Sequence, residues 1–116
     1  MEAFFTVKSK DIRDKQFIFN VALNPNHPVY QGHFPQKPVA PGVMLTGMIK
    51  RLLEMEYGRN LKLIEARNIK FLKMMLPEEA DHVRIEINIK DEGKIGVKAS
   101  ASIEEAVYFK ISASFV

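Results

Sequence analysis

The chain has 116 residues, 47% of them hydrophobic, so it reads as a single domain, residues 1–116, able to bury a core. The absence of cysteine excludes disulfides and thiolate metal sites, and no run approaches the roughly 18 apolar residues of a membrane span. A net charge of +3, with lysines and glutamates interleaved, excludes a nucleic-acid stripe; with no secretory leader pattern at Met1–Lys8, the expectation is a cytoplasmic protein.

Alternation predicts strands over Phe4–Lys10 and Phe17–Leu23, the second placing Phe17, Phe19, Val21 and Leu23 on one face. Asn24 to Pro41 breaks every period. It holds five of the six prolines and two of the three histidines, and ordered stretches of that length without regular structure are usually functional. A helix is predicted from Pro41 or Gly42 to about Tyr57, stopped by Gly58. Val43, Met44, Leu45, Met48, Ile49, Leu52 and Leu53 cover most of its circumference, which predicts burial nearly all round. Strands are then expected over Leu61–Phe71, His82–Lys90, Ile95–Ile103 and Val107–Val116. Turns are expected at Leu76–Ala80, Asp91–Gly93 and Glu104–Glu105. Two strands, a buried helix and four more strands predict an α+β fold, a curved antiparallel sheet wrapped around the helix. Such a sheet leaves an edge or apolar patch exposed, which a two-fold dimer continuing the sheet would cover.

Chemistry concentrates in the proline-rich stretch. The first amides of a helix have no intrahelical partner and sit at the positive end of its dipole. Gly42 presents no side chain there, so an oxygen gaining negative charge can approach its N–H. His33 lies nine residues upstream, on a loop restrained at Pro35, Pro38 and Pro41. A neutral imidazole beside such a donor suits removal of a proton next to a carbonyl. His27 and His82 lack metal-ligand spacing, so neither a metal site nor a cofactor is expected. Met44, Met48 and Met55 fit a core or the wall of an acyl tunnel equally well.

The run Gly32-His33-Phe34-Pro35, Pro38-Val39 and Pro41-Gly42-Val43-Met44 resembles the active-site signature of the hot-dog-fold β-hydroxyacyl-[acyl-carrier-protein] dehydratases. The resemblance implies His33 as the catalytic histidine and Gly42 as the amide that polarises the thioester carbonyl. It implies Phe34, Val39, Val43 and Met44 around the acyl chain, an acyl thioester on a carrier protein or CoA as substrate, and a homodimer or higher even oligomer. In that family a carboxylate stands on the helix six residues after the last motif proline; here the position is Gly47, beside Thr46. Thr46 and Gly47 are therefore expected to hold a water or a bulkier substrate. Glu54, one further turn pair along, is a poor substitute. Gln36 also departs from the family's usual glycine. A non-catalytic acyl-binding protein is the alternative, and a thioesterase ranks last for want of a carboxylate to activate water. Lys37, Lys50, Arg51, Lys70 and Lys73 are expected to form a basic rim that attracts an acidic carrier.

Overall fold

The computed structural model describes residues 3–31 and 38–116. Its elements are β1 (Phe5–Ile12), β2 (Gln16–Leu23), a 3-10 turn at Pro28–Tyr30, α1 (Gly42–Tyr57), β3 (Leu63–Phe71), a 3-10 turn at Pro77–Glu79, β4 (Val83–Asp91), β5 (Ile95–Ile103) and β6 (Ala106–Phe115). The six strands form one antiparallel sheet in the order β1-β2-β4-β5-β6-β3. This is the expected α+β hot-dog arrangement.

Alternation sets the inner face. Phe17, Phe19, Val21 and Leu23 of β2, Val83, Ile85 and Ile87 of β4, and Val97, Ala99 and Ala101 of β5 are all buried. They pack against one stripe of α1, formed by Leu45, Met48, Ile49, Leu52 and Leu53. That spacing is the i, i+3, i+4, i+7 pattern of an amphipathic helix. The expectation of burial nearly all round is corrected here: Val43 is 76% exposed, and Gly47 is exposed on the same side. Among the described residues, the helix's second apolar flank faces β3 across a groove and is not covered.

The ends of α1 are set by local chemistry. Pro41 occupies the N-cap with φ −66° and ψ 142°, and its carbonyl accepts from the amides of Met44 and Leu45 at 3.0 and 3.1 Å. Gly58 closes the helix at φ 68°, donating to the Glu54 carbonyl at 2.9 Å. That left-handed conformation is where glycine has no steric cost.

The two sheet edges differ. β1 carries a bulge between Val7 and Ser9 and exposed charges at Lys8, Lys10 and Asp11, all of which discourage pairing with another strand. β3 is exposed along its whole length, including Leu63, Ile64, Ile69 and Phe71. Among the described residues it pairs only with β6, with register shifts between Leu63 and Glu65 and between Arg67 and Lys70, where Asn68 has φ 49°.

Candidate active site

The segment after β3 fixes the lead-in to the helix. The amides of Leu72 and Lys73 donate to the Tyr108 carbonyl at 2.8 and 3.3 Å, the Ala40 amide donates to the Met75 carbonyl at 2.8 Å, and the Leu23 amide donates to the Ala80 carbonyl at 2.8 Å. Val39, Ala40 and Pro41 are thereby clamped between α1 and the chain leaving β3. Beside them opens a cavity of about 330 Å³, lined by Val39, Gly42, Leu45, Phe71, Leu72 and Met75 among others. The expected helix-start glycine therefore borders a concavity with a largely apolar wall, as a bound acyl group requires.

Gly42 is closely approached by a ring. A Cβ at this position would lie 2.4 Å from Cζ and 2.8 Å from Cε1 of Phe71. Phe71, its ring tilted at 36° against the buried Phe109 ring with centroids 5.3 Å apart, brings its edge against the helix start. The sequence expectation missed Phe71 as a site residue. Its signal was an aromatic on the inward register of the last β3 residue, opposite Phe109.

Val43, Thr46 and Gly47 line a second cavity of about 240 Å³ with Leu63, Ile69 and Phe115, between α1 and β3. The expected set thus divides around the first helical turns, Val39 and Gly42 on one side, Val43, Thr46 and Gly47 on the other. Met44 borders neither cavity; it is half-buried against the core. Nothing lies within 4 Å of a Cβ built on Gly47, so the place is open to a side chain or a ligand. The Thr46 hydroxyl donates to the Val43 carbonyl at 2.9 Å, which leaves only its oxygen lone pairs for a water. His33 and Phe34 lie outside the described residues, as do Gln36 and Lys37.

Glu54 is committed elsewhere. Its carboxylate accepts the Leu61 amide at 2.9 Å and lies 3.3 Å from Lys50 Nζ. The Leu61 amide is the main cause that holds its carboxyl below the usual range; burial opposes it, and Lys50 and Arg51 add to the lowering. An acid kept ionised is a poor proton donor. The basic rim is also redrawn. Lys73 borders the cavity at Gly42 and Lys50 the one at Gly47, whereas Lys70 points to the opposite face of the sheet. Among the described residues no cluster of acids, histidines or cysteines could hold a metal, and no helix is long and apolar enough to cross a membrane.

Comparison with known proteins adds to this geometry. A family model described as ApeI-like, ApeI dehydratase, matches residues 9–109. The 3-hydroxyacyl-[acyl-carrier-protein] dehydratase FabZ of Clostridium perfringens is 31% identical over 105 residues, covering 84% of this chain and 75% of that protein. The FabZ of Bacillus subtilis is 32% identical over 98 residues, covering 78% and 69%. Among solved structures, a chain of the dehydratase heterocomplex ApeI:P from Xenorhabdus doucetiae superimposes with a TM-score of 0.82 at 14% identity, covering 95% of this chain and 96% of that one. A putative thioesterase from Ralstonia eutropha does so with a TM-score of 0.62 at 15% identity, covering 96% and 83%. The last two establish likeness of fold alone.

Proposed function

This chain belongs to the ApeI-like dehydratase family and is a hydroxyacyl-thioester lyase of that kind; from that premise we propose that His33 is its base and the Gly42 amide its oxyanion donor. His33 takes the proton from the α-carbon of a β-hydroxyacyl thioester. Charge gathering on the thioester oxygen is met by the Gly42 N–H at the positive end of α1. The electron pair closes the Cα–Cβ double bond as hydroxide leaves the β-carbon. The imidazolium then returns its proton to that hydroxide, so water departs and the base is regenerated. A family carboxylate would share this last step; with Gly47 in its place, His33 performs both transfers, relayed by a water held near Thr46.

The observation that carries this reading is the cavity at Gly42, backed by Val39, Leu45, Phe71 and Met75. These side chains suit an acyl chain, and Val43 offers a further apolar contact in the neighbouring groove beside Gly47. A carrier protein brings the thioester, and its acidic surface meets Lys73 and Lys50. Two copies join through β3, whose apolar residues and unpaired backbone edge continue into the groove beside Gly47.

Dehydration of β-hydroxyacyl thioesters, followed by absorbance of the enoyl product, tests the assignment. His33→Ala is expected to lower turnover by roughly 10²–10⁴-fold, the range of a positioned acid–base group. Gly47→Glu restores a carboxyl where the helix has room for it, and turnover is expected to rise. Undiminished turnover in His33→Ala would remove His33 from the chemistry.

A further inference from the structure

The sheet face turned away from α1 carries a feature that dehydration does not use. Lys70 of β3 stands directly opposite Lys110 of β6, and Lys98 of β5 stands opposite Ser112, one diagonal step from Lys110. Like charges in directly opposed positions destabilise a sheet. Among the described residues no carboxylate pairs with Lys70, Lys98 or Lys110, although Arg67 is matched by Glu65 at 3.0 Å and Lys90 by Glu92 at 3.6 Å. Between these cations the floor is low, made of Ser100, Ser112, Ser114 and Gly96. The outcome is two adjoining concavities, of about 460 and 660 Å³, that share Asn68, Asn88, Lys98 and Ser112.

We propose that this outer face is a docking surface for an acidic protein partner, with Lys70, Lys98 and Lys110 as its unmatched cations and the serine and asparagine side chains as hydrogen-bonding floor. Charge selects the partner's chemistry. An isologous contact with a second copy would set these lysines against themselves, which excludes this chain as occupant. No aromatic side chain lines either concavity for base stacking, which disfavours single-stranded nucleic acid. The few apolar residues among the lining, Ile89, Val97, Ala99, Ile111 and Ala113, belong to the buried face, so nothing projects that could enter a lipid layer. The surface lies across the sheet from Gly42, so a docked partner leaves the acyl cavity open. The inference is independent of the roles given to His33 and Gly42.

Fluorescence anisotropy of a labelled, glutamate-rich helical peptide provides the test, at several ionic strengths. The wild-type chain is expected to bind it, more weakly as salt screens the contact. Lys98→Glu with Lys110→Glu is expected to weaken binding by roughly tenfold or more, the sensitivity of a charge-steered contact. Lys8→Glu with Lys62→Glu, which makes the same change in net charge elsewhere, is expected to weaken it much less. Dehydration by Lys98→Gln with Lys110→Gln is expected to match wild type, and its melting temperature to rise once the repulsion is removed. Equal weakening by the two charge-reversed pairs, or undiminished binding by the first, would overturn the proposal. Tighter binding to a single-stranded oligonucleotide, or to vesicles of phosphatidylserine and phosphatidylcholine, would overturn the choice of partner.

Discussion

Gly42 and Phe71 form the tightest pair at the site, and they make a sharp residue-level prediction. A methyl at residue 42 would overlap the Phe71 ring, yet that ring is 55% exposed and has room to swing outward. Gly42→Ala is therefore expected to leave the fold nearly as stable while removing a wall of the cavity beside residue 42, with kcat/KM falling by roughly tenfold or more. In a Phe71→Ala background the same substitution meets no ring and is expected to cost less, a coupling that a double-mutant cycle measures. Additive losses would mean that the close approach has no part in binding. Tyr30 gives a second prediction. Its ring is 4% exposed, its hydroxyl has no partner among the described residues, and burial pushes the phenol up to about 12. A folded value above the unfolded one, about 10, gives stability that is complete below pH 10 and lost as pH climbs toward 12. Two units correspond to about 2–3 kcal/mol. Tyr30→Phe is expected to flatten the alkaline side of a denaturant-midpoint profile, though not to abolish its slope, because burial also raises Tyr57. The variant is also expected to be about 1–3 kcal/mol more stable at neutral pH, the cost of burying an unpaired hydroxyl.

At the scale of elements, Glu54 couples the last turns of α1 to the start of β3 through the Leu61 amide. Its carboxyl is held below the ordinary range in the folded state, so its contribution is present above the unfolded pKa and fades as pH falls through the folded one. Urea unfolding of wild type and Glu54→Gln should therefore show a stability gap at neutral pH that narrows in acid. A gap that stayed constant with pH would assign Glu54 a packing role only. The elements themselves were largely legible in the sequence. Phe17 to Leu23 and Val83 to Ile89 alternate strictly because each strand has one buried face, and Gly58 marks the helix end because its φ is positive. Less legible was what touches what. Val43 reads as core by composition but lies on a flank that the described residues leave largely exposed. Lys70 reads as part of a rim near the motif, whereas strand register turns it to the outer face. The bulge at Asn68 shifts that register, and no local pattern announces it. Phe71 joined the site through a long-range approach to Gly42, which spacing along the chain does not encode.

For the whole molecule, the decisive asymmetry is between the edges of the sheet. β1 is bulged and charged, while β3 offers nine exposed residues with Leu63, Ile64, Ile69 and Phe71 among them. Beside β3 lies the uncovered flank of α1, with Val43 and the groove that Ile69, Leu63 and Phe115 share with Gly47. A second copy related by a two-fold axis satisfies both at once, since its own β3 supplies the missing backbone partners and its apolar residues close the groove. In the proposed dimer, folding and assembly are one equilibrium, and stability depends on protomer concentration. A tenfold rise in concentration is expected to lift the melting temperature by about 3 °C for a dimer of this size. Ile69→Lys places a charge in the shared groove and is expected to give a monomer by sedimentation equilibrium, with a lower melting temperature that no longer varies with concentration. Turnover should fall with it, because the groove beside Gly47 then opens to water. A wild-type chain that sediments as a monomer, with a melting temperature independent of concentration, would leave the exposed β3 edge without its partner and refute the assembly.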